Sequence, residues 1–590
     1  MLRLFTMFSK RDWLLLVIAC GLIVLGVWLE LTVPEFLREI TLIVTGGRDG
    51  DIGDVWRYGG LMVGFAVASM ITTVIVAFIA AIVSSSHSAR IRQRVFGKVG
   101  EFSLGEMKKF SIASLITRST NDVNQVNIFT IMAIQVLIRA PIMAIWAIMK
   151  IVGVSWELSI VTIIGIALLV IVMTIIIAVG VTKFFKIQKL TDNLNQVARE
   201  NLTGIRVVRA YNAQDFEQNK FDKANKDLTK NNVTVNRALG VFWPFFGFLM
   251  SAMTAAIYWV GSWVIDSGRT DEPMYFFGDL MVFTQYSSQV IFSFMMLIMV
   301  LVFFPRAMVS GRRIMEVLRT KPSVVGAKSE VPLKMGNGNI EFRNVNFKYP
   351  GAEENVLSNI NLSVKKGSRV AFIGGTGCGK STLVNLLPRI YDATCGDVLI
   401  GGRCVKDMSL EELNTHVGYV PQTATLFSGT IKSNVAFGHL ISENGAREIT
   451  DDEVVQALKT AQAWEFVSKL EDGINSEVSQ VGKNFSGGQK QRLAIARILA
   501  RKPEIIIFDD TFSALDYKTD RTLRTALAKD LAGATILIVA QRVGTIKDCD
   551  QIYVMDKGRI VSFGRHEELL KKCDVYKEIN DSQFLKEGGK

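Results

Sequence analysis

The sequence predicts a membrane α-helical bundle followed by an α/β domain, and three observations carry that prediction. Long uncharged runs fill the first half of the chain. Lysine and arginine gather in alternate loops between those runs. A glycine-rich motif follows a short β-rich stretch in the second half. Of the 590 residues, 49% are hydrophobic and 21% charged, which excludes a highly charged disordered chain as the main state. The uncharged runs are Trp13–Leu29, Gly60–Val83, Leu158–Thr182, Ala238–Ile265 and Leu280–Phe304. A bilayer needs about 20 helical residues, so together these runs exclude an ordinary soluble enzyme.

A further span comes from Val126–Ile138 and Ala140–Met149, split by Arg139. The six helices are expected at about 13–33, 58–83, 126–152, 158–182, 238–265 and 279–305, within a membrane domain of residues 1–320. Loop charge orients them. The segment 84–125 carries seven Lys/Arg and 183–237 carries eleven, against three in 34–57 and Arg269 alone in 266–279. The basic side faces the cytoplasm, so both termini are expected there, in a plasma membrane. The first run is not read as a signal peptide, because Leu-Glu-Leu-Thr-Val-Pro follows it where small residues would be needed. The two basic loops are too long for hairpins. Ile205, Val208 and Asn212 share a helical stripe, as do Leu115, Ser119 and Asp122, so the membrane helices are expected to extend into the cytosol.

The net charge of +12 is accounted for largely by these loops, and no nucleic-acid partner is expected. The six cysteines form no C-x-x-C pair, and five follow residue 370, as reduced cytosolic thiols would. After a helical link to about Leu318, residues 321–338 read as a linker. From 339 to 590 short apolar strands alternate with helical stretches, an α/β pattern.

Within that domain, Val370–Gly374 runs into Gly374-Gly375-Thr376-Gly377-Cys378-Gly379-Lys380-Ser381, then Thr382. This fits G-x-x-x-x-G-K-[ST]. Glycines let backbone N–H groups surround phosphate oxygens, Lys380 adds a point charge, and Ser381 offers a hydroxyl to Mg²⁺. An adduct on the Cys378 thiol is expected to fill phosphate space. Glu504–Asp510 reads as a buried strand ending in a metal-positioning carboxylate, Asp509. Between them, Ser486-Gly487-Gly488-Gln489 opens a basic helix, a natural phosphate cap.

These motifs resemble the nucleotide-binding domain of ATP-binding cassette (ABC) transporters, with Ser486–Gln489 similar to the family signature. The resemblance implies ATP and Mg²⁺ as cofactors, adenine stacking on Tyr349, a Mg²⁺ contact from Gln422, and a bridge to a second cassette at Ser513-Ala514-Leu515-Asp516. Glu200–Tyr211 is similar to the second cytoplasmic loop of ABC exporters, so the resemblance covers essentially the whole chain.

Two positions depart from the family pattern. Asp510 stands where the family usually has the catalytic Glu, and Gln541 where it has His. Asp is one methylene shorter, and Gln cannot become cationic. In the family, each ATP site joins one chain's phosphate loop to the other's signature. The pattern therefore implies one subunit of a heterodimeric bacterial exporter, with a degenerate site of its own and a signature that completes its partner's hydrolytic site. A homodimer with two slow sites and a regulatory half-transporter are the alternatives. Aromatic and methionine residues of the fifth and sixth helices, among them Phe242, Trp243, Phe294, Met295 and Met296, suit a hydrophobic or amphipathic drug-like substrate, with lipid or peptide as alternatives. Arg139 is expected either to face a cavity or to snorkel to the surface. The polar patch Gln285–Gln289 either lines a path or joins helices.

Overall fold

The computed structural model describes residues 2–152, 155–270, 272–327, 339–438, 440–442, 445–531 and 533–584. Most of the expected linker, 328–338, lies outside the described residues. The chain divides into two compact units, one of residues 1–99 and 113–320, the other of 100–112 and 321–590.

The first unit is helical. Among the described residues, six helices are long and apolar enough to cross a membrane. Several far exceed the ~30 Å that a hydrocarbon core requires at 1.5 Å per residue. Ile52–Gly100 has 49 residues, Trp156–Thr203 has 48 and Pro273–Arg319 has 47. The last runs unbroken through Pro305. The helix Lys10–Val44 begins with a capping box in which Ser9 Oγ accepts from the Asp12 N–H and Asp12 accepts from the Ser9 N–H. The stripe through Leu115, Ser119 and Asp122 is not one helix: Thr120 leaves helical geometry, separating Ile112–Ser119 from Asn121–Met132. Asn212 likewise falls beyond helix Ile205–Ala210, at a positive φ. Buried Asp122 accepts from Ser310 Oγ at 2.8 Å and pairs with Arg313 at 3.3 Å. Arg118 bonds Glu316 at 2.8 Å, so this short helix pair is tied to Pro273–Arg319 by ion pairs buried on one side only.

The third expected span contains a feature that its sequence pattern does not announce. Residues Ala133–Leu137 form a π turn between helices Asn121–Met132 and Arg139–Val152. A π turn inserts one residue into the helix, rotating the side chains beyond it by about 100°.

The second unit carries two main sheets. Strands β1 (Ile340–Phe347), β2 (Leu357–Val364), β4 (Cys395–Ile400) and β5 (Arg403–Cys404) form an antiparallel sheet in the order β2-β1-β4-β5. The central sheet has six strands: β3 (Arg369–Gly374), β6 (Val417–Val420), β7 (Ile505–Asp509), β8 (Thr535–Val539), β9 (Gln551–Asp556) and β10 (Arg559–Gly564). Their order is β10-β9-β3-β8-β7-β6, parallel except for β10. β7 and β8 are buried at every residue, as continuous Ile/Leu/Val runs require when both faces are covered. This sheet brings the carboxyl ends of β3, β6, β7 and β8 together, and the functional residues follow them.

Candidate functional site

The loop after β3 curls around its glycines. Gly377 and Gly379 hold φ of +83° and +98°, left-handed values that a side chain rarely adopts. A Cβ on Gly374 would meet the Met555 carbonyl oxygen at 2.1 Å, so no other residue fits against β9 there. Lys380 is buried, and its Nζ donates to the carbonyls of Gly374 and Gly375 at 2.9 and 2.7 Å. The cation is thus held over the loop it shares with Gly375 and Thr376. Cys378 contributes backbone to this loop, but its thiol is buried beside Gly374, with Lys380 Nζ at 3.6 Å. The thiol packs in the apolar core beneath the loop.

Tyr349 follows β1. Its ring meets the edges of Phe347 (5.0 Å, 83°) and Tyr391 (5.3 Å, 84°), and its hydroxyl shares a 2.9 Å hydrogen bond with Thr382 Oγ1. Lys108, on the short helix Leu104–Phe110 of this unit, places Nζ 4.9 Å from the ring centroid.

The acidic end of β7 is where most of the expected residues converge. Ser381 Oγ donates to Asp509 Oδ1 at 2.7 Å. Tyr419 OH donates to the other oxygen, Oδ2, at 2.9 Å. Burial and the adjacent carboxylate push the Tyr419 hydroxyl far above its ordinary pKa, so it remains a donor. Sequence reasoning missed Tyr419. Its signal was its place on β6, next to β7 and three residues before Gln422.

Asp510 is buried with φ +48°, and its N–H donates to the Val539 carbonyl at 3.0 Å. Its Oδ2 accepts from Gln422 Nε2 at 3.1 Å and from Gln541 Nε2 at 2.9 Å. Burial pushes its pKa above the ordinary carboxylate value, opposed by the Gln422 hydrogen bond.

Ser486–Gln489 lies apart from this network, and among the described residues no hydrogen bond joins it to the phosphate loop. Exposed Ser486 caps helix Gly487–Ala500: its Oγ accepts from the Gln489 N–H at 3.3 Å, and Gln489 Oε1 accepts from the Ser486 N–H at 2.9 Å. The first N–H groups of such a helix have no intrahelical acceptor.

The residues fit Mg-ATP. Ser381, Asp509 and Gln422 offer hard oxygen ligands, and among the described residues no cluster of three His/Cys/Asp/Glu could cage a metal. That suits Mg²⁺, which takes one or two carboxylates and fills the rest of its shell with neutral oxygens, waters and phosphates. Bound there, Mg²⁺ would neutralise phosphate charge beside Asp509 and Ser381.

In the membrane unit, Arg139 lines a cavity and forms an ion pair with Glu30. The polar patch divides. Ser288 and Gln289 line the cavity, whereas Ser287 bonds Thr162 at 2.8 Å and Tyr286 OH donates to the Leu31 carbonyl at 2.8 Å. Met296 lines the cavity, whereas Met295 is buried in the helical core.

Comparison with known proteins agrees with this geometry. Residues 16–303 match the ABC transporter transmembrane region, and residues 357–513 match the ABC transporter family. The chain is 36% identical over 581 residues, 98% of each chain, to the uncharacterized ABC transporter ATP-binding protein YfiB of Bacillus subtilis. It is 35% identical over 558 residues, 94% of each chain, to an uncharacterized ABC transporter ATP-binding protein of Mycobacterium tuberculosis. The solved structure of a bacterial Atm1-family ABC exporter with ATP bound superposes with a TM-score of 0.78 at 24% identity, covering 97% of both chains. That likeness shows the half-transporter exporter fold. The chain therefore belongs to the ABC transporter family, as a multi-pass membrane protein in which a six-helix domain is fused to one ATP-hydrolysing cassette.

Proposed function

We propose that this chain is one half of a dimeric ATP-driven exporter in a bacterial plasma membrane, with both termini cytoplasmic. It moves hydrophobic or amphipathic drug-like compounds outward by alternating access. Its own phosphate-loop side, with Tyr349, Lys380, Ser381, Gln422 and Asp509, holds Mg-ATP but hydrolyses it poorly. Its Ser486–Gln489 completes the hydrolytic site of a different half-transporter.

The observation that carries this reading is the setting of Asp510. A general base must hold its water within about 2.6–3.2 Å. Here one carboxylate oxygen is shared by two amide donors, Gln422 and Gln541, and the side chain is one methylene short of Glu. A displacement of about 1 Å can cost about 100-fold in rate. Gln541 holds Asp510 but cannot take up the positive charge that a His in its place would bring to the phosphate. The signature side carries no such defect. Its capped helix offers N–H groups and the Ser486 hydroxyl to an anion.

Affinity purification of the tagged chain from its native membrane tests the assembly. The expected result is a stoichiometric second half-transporter with Asp-Glu at the strand end and His in the Gln541 position. Recovery of this chain alone, as a dimer, supports the homodimer that hydrolyses slowly with aspartate.

A further inference from the structure

The membrane unit contains a cavity of about 470 Å³, inside the ~300–1,000 Å³ range of drug-sized ligand sites. Its walls are largely apolar, with Leu22, Ile23, Val76, Met143, Met250 and Met296 among them. Among the described residues, Glu30 and Arg139 are the only charged ones that line it, so this lining is electrically neutral as a whole.

Three of the lining hydroxyls are already committed as donors. The Thr72, Ser288 and Ser293 hydroxyls each donate to a carbonyl of their own helix, Ser69, Thr284 and Gln289 respectively, all at 2.8 Å. A hydroxyl has one proton, so these three have none left to donate to a ligand. Gln289 Oε1 is a buried acceptor with no hydrogen-bond partner among the described residues. Glu30 adds the anionic acceptor of the same lining. Arg139 contacts Glu30 through one Nη only, so the guanidinium keeps N–H groups for a second anion. Gln135, within the π turn, lies four residues before Arg139 and shares its lining. π turns of this kind occur often at functional sites.

A ligand of one charge sign would draw away one partner and leave the other, about a third exposed, without its counter-ion, an electrostatic loss. A ligand carrying both signs replaces the pair without that cost. The geometry points to this cavity as a binding site for zwitterionic amphipaths: an ammonium group on Glu30, a carboxylate or phosphate on Arg139, and an apolar body among the methionines. The inference rests on the exporter reading and narrows its substrate class.

Three dansyl probes with a common fluorophore test it on the full-length protein in nanodiscs, with empty nanodiscs as the blank. They are ε-dansyl-lysine (zwitterion), dansylcadaverine (cation) and dansylglycine (anion). The zwitterion is expected to bind at least about tenfold more tightly than either other probe. Glu30→Gln should shift preference to dansylglycine, and Arg139→Gln to dansylcadaverine. The double variant Glu30→Gln/Arg139→Gln leaves no unpaired charge, so it should fold and bind all three alike. A lysophospholipid with a zwitterionic headgroup, added as competitor, separates sources: displacement of the probe assigns the site to lipid, and no displacement to a soluble compound. Equal binding of the three probes by the unaltered protein, or a zwitterion preference that survives in the double variant, overturns the inference. Neither result touches the exporter reading. That reading fails separately, if uncharged dansylamide and all three probes show no ATP-dependent uptake into inside-out vesicles.

Discussion

Removing the Tyr349 ring tests the adenine platform. In the structure the ring is held by edge contacts with Phe347 and Tyr391 and by the hydroxyl bond to Thr382, next to the phosphate-loop serine. Tyr349→Ala deletes the platform, and aromatic contacts of this kind contribute about 0.5–1.5 kcal/mol beyond area burial. The phosphate contacts of Lys380 and the loop backbone remain. The expected loss in Mg-ATP affinity is therefore about tenfold or less. Tyr349→Phe keeps the ring and its contacts with Phe347 and Tyr391 and loses only the bond to Thr382. It should bind ATP within about threefold of the original, since that corresponds to well under 1 kcal/mol. Equilibrium binding to the full-length protein, measured in the cold to suppress turnover, gives both values. Unchanged affinity in Tyr349→Ala would place adenine elsewhere. A loss beyond about a thousandfold would exceed any stacking contribution and show that Tyr349 serves the fold of the cassette.

Three further outcomes are expected at the same cassette. Tyr419→Phe removes a donor to Asp509 Oδ2, and hydrogen bonds to charged groups contribute about 1.5–3 kcal/mol, so the Mg²⁺ needed for ATP binding at this chain's site should rise about tenfold or more while binding of metal-free ATP stays unchanged. Alkylation of the buried Cys378 thiol should be slow and slower still with Mg-ATP bound, because the loop must open first; equal rates with and without nucleotide, read by mass spectrometry, would contradict this. Arg389, almost fully buried, bonds Asp392 twice and the carbonyls of Val325, Lys406 and Met408, so Arg389→Met should destabilise the nucleotide-binding unit by about 3–5 kcal/mol, read as a lowered unfolding midpoint.

Uncharged runs were enough to find the membrane helices, because a bilayer imposes length and polarity on a contiguous stretch. The phosphate loop was legible for a similar reason: one short segment supplies glycines, Lys380 and Ser381 at fixed spacing. The features that escaped sequence reading depend on residues far apart. Glu30 follows an uncharged run with nothing local to indicate a partner 109 positions away, Arg139. The π turn at Ala133–Leu137 leaves no periodicity signal, since the segment is apolar on both sides. Its place three residues before Gln422 is the local cue to Tyr419, and its role comes from β6 lying beside β7. Residues 100–112 group with the nucleotide-binding unit although they lie between membrane helices in sequence. The buried Cys378 thiol shows the same limit, since the motif specifies backbone and leaves side-chain direction open.

The most direct test of the two-site account compares two lesions in the assembled transporter at saturating Mg-ATP. Asp510→Ala removes a carboxylate already shared by two amides, so phosphate release should change only modestly. Ser486→Ala removes a hydroxyl from the signature helix, where positioned donors around the transferring phosphoryl contribute on the order of several kcal/mol, so release should fall by about 100-fold or more. Inactivity of Asp510→Ala together with near-normal turnover of Ser486→Ala would contradict the account, and would make this chain's own aspartate the working base.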